Sequence, residues 1–247
     1  MSLATLAEVL QPARKGGYAV AGLVTLGWED MRAYVAAAEA ENCPVILQAG
    51  PSCRAHTPLP ILGKMFRYLA ENASVPVVAH LDHGYTFEEC REALESGFTS
   101  LMYDGSRKPL QQNIDETAAI FARDSGVDAM AISVGNVHLQ QDKEGGLDVA
   151  RIRAIEAVTD IPLVIHGGSG VPMAQRSQLA QTSNICKFNI GTELRMAFGV
   201  ALRAAVNSDP DRFDRVQILK DTHDPLVDAT RTVLGAFRAK TQRQPHD

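Results

Sequence analysis

Residues 75–106 read VPVVAHLDHGYTFEECREALESGFTSLMYDGS, a stretch that holds one whole structural repeat. Val75 to His80 is a short apolar run rich in valine, the mark of a strand buried on both faces. From Phe87 to Ser96 apolar residues return at three- and four-residue spacing, which predicts an amphipathic helix. Thr99 to Tyr103 is apolar again and predicts a second strand. Strand, helix and strand within ~30 residues make a βαβ unit, whose two strands lie parallel.

The alternation continues on both sides. Further strands are expected at Tyr18–Thr25 (YAVAGLVT), Pro44–Gln48 (PVILQ), Asp128–Val134 (DAMAISV), Ile161–His166 (IPLVIH) and Ile185–Ile190 (ICKFNI). Outer helices are expected at Trp28–Glu41 and Val149–Val158, with more helical pattern from Thr192 to Ala239 and a polar tail from Thr241 that frays. These elements predict a single α/β domain over residues 1–247, a (β/α)8 TIM barrel. A closed barrel of this kind has eight strands, and only seven are legible. The gap falls between Ala122 and Val127, around Arg123 and Asp124, where a helix starting near Leu110 runs almost directly into the strand at Asp128.

Composition narrows the function. A length of 247 residues with 45% hydrophobic content suits one barrel and one large core. With 24 basic against 29 acidic residues and a net charge of −5, there is no basic field for nucleic acid or anionic lipid, so a small soluble substrate is expected. No apolar run approaches the ~20 residues of a membrane span, and MSLATLAEVLQPARKGG reads as an opening helix rather than a signal peptide, so the cytoplasm is the expected location. Cys43, Cys53, Cys90 and Cys186 form no CxxC pair and read as reduced thiols.

Polar residues gather where the strands end: His80, Asp82 and His83 (HLDH), Asp104 (YDGS), Asn136 and His138 (GNVH), His166 (HGGSG), then Asn189 and Thr192 (NIGT). In a barrel all these ends open on one face, which is where active sites are built. His83, His138 and His166 sit at or just past strand ends, and three imidazoles with one open position suit catalytic zinc. His56, His223 and His246 have no such placement. His80 is either a fourth ligand or a residue that orients Asp82 or His83, as Asp104 and Asn136 can from behind the ligands. Asp82 could ligate the metal or cap a helix, but proton transfer is preferred because His83 already supplies the ligand.

Two glycine-rich turns flank that face. Gly167-Gly168-Ser169-Gly170 leads from a strand towards a helix with Pro172 at its start, and Asn189-Ile190-Gly191-Thr192 repeats the pattern on the last strand. Each reads as a phosphate cradle or as a plain βα turn, and their adjacency after the last two strands favours phosphate. Lys187 falls on the same strand face as Asn189 but one residue pair deeper, which argues against a Schiff base.

Taken together, HLDH, HGGSG and NIGTEL, with GVDAMAISVGNVH and LDVARIRAI in the same order, resemble the class II fructose/tagatose-bisphosphate aldolases, nearer the tagatose-bisphosphate branch. The resemblance runs from Tyr18 to Arg203. It implies zinc on His83, His138 and His166, with a monovalent cation near the phosphate site, and Asp82 as proton donor to the aldehyde oxygen during condensation. It implies dihydroxyacetone-phosphate contacts from Gly167, Gly168, Ser169, Asn189, Ile190, Gly191 and Thr192. It further implies reversible cleavage of a ketose 1,6-bisphosphate and assembly as a homodimer or homotetramer.

The chain departs from the family pattern at the gap, where relatives carry a strand and a glycine-rich loop with an acid/base glutamate. Leu139 replaces a glycine, Gly50-Pro51-Ser52-Cys53-Arg54 replaces a serine-glycine-alanine turn, and Val24 and Thr25 stand near a usual asparagine. Two other functions fit the same residues: a zinc hydrolase, and a non-catalytic protein that binds metal and phosphate esters.

Overall fold

The computed structural model describes residues 2–109, 111–112, 127–140 and 146–237. Its strands are β1 (Leu3–Ala4), β2 (Val20–Val24), β3 (Val45–Ala49), β4 (Val77–Gly84), β5 (Ser100–Tyr103), β6 (Met130–Ile132), β7 (Leu163–Ile165) and β8 (Ile185–Ile190). All pair in parallel within one sheet. Both β1 and β5 pair with β4, and the order then runs β3, β2, β8, β7, β6. Pairing of β2 with β8, Val20 opposite Lys187 and Gly22 opposite Asn189, brings the early and late strands together, so the sheet curls as in a TIM-type barrel. Among the described residues β5 and β6 are not paired with each other.

Register and alternation sort the side chains into layers. Ala21, Leu23, Leu47, Val77, Ala79 and Phe188 point outwards, into the core beneath the helices. Val20, Ile46 and Val78 point inwards, and the helix α1 (Leu6–Gly16) plugs that end with Leu6, Val9, Leu10 and Ala13. Each of these valine, leucine and isoleucine side chains contributes roughly 1.5–3 kcal/mol through burial. The helix begins there because the Thr5 hydroxyl accepts from the Glu8 N–H while the Glu8 carboxylate accepts from the Thr5 N–H at 2.7 Å. It ends at Gly17, whose φ of 62° needs a residue without a Cβ. Above the apolar layer, Gln48, His80 and Lys187 form a buried polar layer, and Asp82 and Asn189 reach the mouth.

The remaining helices that matter for the site are α2 (Trp28–Ala40), α3 (Pro51–His56), α4 (Leu59–Asn72), α5 (Phe87–Glu95), α6 (Val149–Glu156), α7 (Met173–Thr182) and α8 (Thr192–Ser208). They are followed by α9 (Arg215–Lys220) and α10 (His223–Gly235), which packs on α2. No helix among the described residues is long and apolar enough to cross a membrane.

Several expected boundaries move. Strand β4 does not stop at His80 but continues to Gly84, because a register shift against β5 between Leu81 and Gly84 keeps the chain paired through HLDH. Strands β6 and β7 are shorter than expected, since their flanking residues turn into loops. An unexpected two-residue strand, β1, lies within the opening segment read as helix, and Thr5 is the cap that separates the two. It pairs with the start of β4, so it is not the unit expected around Arg123 and Asp124, which lie outside the described residues.

Candidate active site

His83, the second-last residue of β4, has a φ of 55°, unusual for a residue with a side chain. Its Nδ1 faces Asp104 Oδ2 at 2.6 Å, and Asp104 also accepts from the Ser106 N–H and hydroxyl at 3.0 and 2.6 Å. Burial alone would raise the Asp104 pKa, but the Ser106 and His83 hydrogen bonds hold it below the usual value. An ionised Asp104 accepts the Nδ1 proton and leaves Nε2 of His83 free to bind a metal. His138 follows β6 in a loop that turns at Leu139, where φ is 60°. His166 directly follows β7 and is buried. Asn136 ties these two segments together, because its Nδ2 donates to Ile132 O at 3.2 Å and to His166 O at 3.1 Å.

The three rings meet edge to face, with centroids 4.8 to 5.6 Å apart, and their ligand atoms lie within 4.8 Å of one another. Burial is the largest cause that pushes His138 down, and it takes His166 to about 3. Those rings are neutral near pH 7 and carry lone pairs, as metal ligands must. The donor set, the spacing and the Asp104 contact all fit a divalent metal with an open coordination position.

His80 is not part of this group. It lies within β4, and its Nδ1 faces Ser100 Oγ at 2.8 Å. Asp82, in contrast, lines the same cavity as the three histidines. Burial works to raise its pKa, but His166 and Lys187 foremost hold it lowered, so the carboxyl is ionised at rest. Asn189 Nδ2 donates to Asp82 Oδ1 at 3.4 Å and lies 3.1 Å from His166 Nε2. Its orientation is set from below, where Lys187 Nζ donates to Asn189 Oδ1 at 2.8 Å.

Burial pushes Lys187 down to about 8, with Asp82 opposing. Between that value and the ordinary 10.5 the unfolded chain keeps a proton that the folded chain has released. The contribution of Lys187 to stability therefore grows with pH across this window and is lost as pH falls through about 8. Urea unfolding of the wild type and Lys187→Met at both ends of the window should show the stability difference, wild type minus variant, increasing with pH. A constant difference would mean that Lys187 does not titrate there.

The cavity at the strand ends holds about 260 Å³, near the low end for small-molecule sites. The two glycine-rich turns form one wall, with Gly167, Ser169, Gly191 and Thr192 facing the space. Gly168 and Ile190 sit behind that wall, and the Ile190 side chain packs in the outer core. Ser169 Oγ accepts from the N–H groups of Gly191 and Glu193 at 3.2 and 3.3 Å. The buried Arg176 braces both turns by donating to Ser169 O, Val171 O and Glu193 Oε1. Sequence reading missed Arg176, and also Arg195, which lines the cavity and whose buried Nε has no hydrogen-bond partner among the described residues. Helical spacing was the available signal for Arg195, which lies three residues after Thr192 on α8.

The sequence pattern of the family described as "Fructose-bisphosphate aldolase class-II" matches residues 4–123 and 115–242. The chain belongs to this family. It is therefore an aldolase, a carbon–carbon lyase of carbohydrate metabolism. The fructose-bisphosphate aldolase of Geobacillus stearothermophilus is 31% identical over 281 aligned positions, covering 96% of each chain. The 6-phospho-5-dehydro-2-deoxy-D-gluconate aldolase of Bacillus licheniformis is 30% identical over 258 positions and 87% of each. Among solved structures, the YdjI aldolase of Escherichia coli K12 superposes with a TM-score of 0.84 at 24% identity, over 98% of this chain and 100% of that one, which speaks for the fold. These similarities do not separate a tagatose-bisphosphate branch from the others, and the relatives at this identity carry different substrate names. Class II members use a divalent metal, and in this chain the cluster of His83, His138 and His166 is suited to hold one.

Proposed function

We propose that the protein reversibly cleaves a ketose 1,6-bisphosphate, of the fructose or tagatose type, to dihydroxyacetone phosphate and an aldehyde. The observation that carries this reading is one cavity lined by three metal-ready imidazoles, an ionised Asp82 and two adjoining glycine-rich turns. Zinc is the metal we assign to His83, His138 and His166, since neutral nitrogen ligands suit it. When bound there it supplies the positive charge that stabilises the ene-diolate of dihydroxyacetone phosphate.

The chain's own groups divide the remaining work. Asp82 takes the proton from the hydroxyl at the bond that breaks and returns it to the aldehyde oxygen during condensation; its lowered pKa supports the first of these roles. Asn189, held with its NH2 group upwards by Lys187, donates to the developing oxyanion. Gly167, Ser169, Asn189, Gly191 and Thr192 cradle the phosphate of dihydroxyacetone phosphate, with Gly168 and Ile190 shaping the two turns from behind and the start of the long helix α8 supporting them. A monovalent cation beside that phosphate would complete its charge balance.

Two further parts belong to this reading. A further βα unit, which the family resemblance implies and which has no counterpart among the described residues, would complete an eight-unit barrel between β5 and β6. Support comes from β5 and β6, which are not paired with each other among the described residues, the two-piece family match that overlaps at residues 115–123, and an alignment of 281 positions against a chain of 247. The protein assembles as a homodimer or homotetramer, for which Met196, Val200, Val206 and the 95% exposed Phe213 offer apolar surface around α8. Work in the cytoplasm suits the reduced thiols of Cys53, Cys90 and Cys186.

Zinc content should be measured beside cleavage of fructose and tagatose 1,6-bisphosphate, with and without chelator. The expected result is one zinc per site and cleavage that chelator abolishes and zinc restores. Metal-dependent hydrolysis without triose products would replace the aldolase reading with a hydrolase. Zinc binding with neither cleavage nor exchange of the C3 proton of dihydroxyacetone phosphate would replace it with a binding protein lacking the base of the missing unit.

A further inference from the structure

Adjacent residues in a strand point to opposite faces of the sheet. Asp82 and His83 break this rule, because both line the cavity. The chain achieves this with the register shift between Leu81 and Gly84 and the left-handed φ of 55° at His83. Such a distortion turns backbone groups out of the ladder, and buried carbonyls need partners. A non-glycine residue in this conformation is also strained and persists only where its surroundings hold it.

The partner is Arg54 on α3, whose side chain is only 7% exposed. Its Nη1 donates to Asp82 O at 2.6 Å and to Ala49 O, at the end of β3, at 2.8 Å. Its Nη2 donates to His83 O at 2.9 Å. The fork is itself anchored, since Nε donates to Glu89 Oε1 at 2.8 Å while Glu89 Oε2 accepts from the Tyr85 N–H. One guanidinium thus joins the ends of β3 and β4 and the start of α5. Lysine cannot reproduce this, because its single ammonium lacks the planar fork.

We infer that Arg54 is a positioning residue that holds the β4 bulge in the form that directs Asp82 and His83 into one cavity. It is not among the residues that line the cavity, and it acts through two backbone carbonyls of β4. This inference rests on the zinc assignment of His83 only for its main readout.

The test compares Arg54→Lys and Arg54→Met with the wild type, with zinc affinity measured by competition with a chromophoric chelator and corrected for the folded fraction. Arg54→Met should weaken zinc by up to about 100-fold and Arg54→Lys by about tenfold, the range seen when groups that orient ligands are removed. The turnover number should fall with each, while KM changes less. If Arg54→Met does not fold, Arg54→Lys, which retains the charge opposite Glu89, decides. A lowered melting temperature with wild-type zinc affinity in the folded variants would reduce Arg54 to a structural residue and overturn the inference.

Amide hydrogen exchange gives a readout independent of metal. The Asp104 N–H donates to Gly84 O across the bulge at 2.8 Å, and together with the Tyr85 N–H it should exchange faster in both variants, with β2 and β8 unchanged. Should the wild type bind no zinc, the metal reading fails alone, and this exchange pattern still decides on Arg54. Unchanged exchange at Asp104 and Tyr85 would overturn it.

Discussion

Asp82→Asn should lower the turnover number for bisphosphate cleavage by about 10²- to 10⁴-fold, with zinc content unchanged. Asparagine has nearly the shape of aspartate and can still accept from Asn189 Nδ2, so the wall of the cavity is preserved. It cannot carry a proton between the substrate hydroxyl and the aldehyde oxygen. Asp82 stands outside the three-histidine cluster, so its replacement removes no ligand. The discriminating measurement is exchange of the C3 proton of dihydroxyacetone phosphate in heavy water. That proton leaves the other half of the substrate, so a wild type that exchanges it should continue to do so as the variant. Exchange and cleavage falling together would instead make Asp82 the base at C3, or a residue that merely holds the site together.

The experiment also separates two consequences of burial. Asp82 is buried with the neutral His166 beside it and Lys187 beneath it, and the Lys187 ammonium helps to keep it ionised against desolvation. A carboxylate held this way is ready to accept a proton but reluctant to retain one. Cleavage therefore begins from the resting state, whereas condensation must first protonate the group. Loss of activity in Asp82→Asn should accordingly appear in both directions, since one group serves the same transition state from either side.

How much of this was legible in the sequence depended on whether the signal was local. Strand β8 falls where its apolar pattern placed it, and alternation alone put Lys187 one residue pair below Asn189. The histidines at strand ends and the glycine-rich turns were visible because strand, turn and helix follow directly along the chain. Strand β4 was read too short, since nothing in HLDH announces that a histidine will take a positive φ and keep the strand paired. Arg54 and Arg176 escaped notice for another reason. Their partners are carbonyls such as Asp82 O and Ser169 O, which carry no side-chain signature and come together only once the loops are packed. Leu3 and Ala4 were missed because two residues are too few to show a period, and only pairing with Val77 and Val78 makes them a strand.

Gly167→Ala should weaken zinc binding and lower turnover by about 10²-fold, the loss expected from a displacement near 1 Å at a reacting centre. Gly167 has a φ of 64°, which alanine adopts at a cost of roughly 1–2 kcal/mol. The larger effect is steric. A Cβ at this position would lie 2.3 Å from Val137 O and 3.2 Å from His138 N, both backbone atoms that cannot swing aside as a side chain can. The segment carrying His138 must then move as a unit, away from His83 and His166, and the three-nitrogen cluster opens. Gly191→Ala serves as the comparison on the adjoining turn, because its added methyl would meet mainly the Val24 side chain at 3.2 Å, a much softer neighbour. Zinc affinity in the two variants should therefore differ by at least tenfold although both change a glycine in the proposed phosphate cradle. Equal affinities would show that the His138 loop yields without moving its ligand, and that the glycine at 167 is required for the turn rather than for the metal.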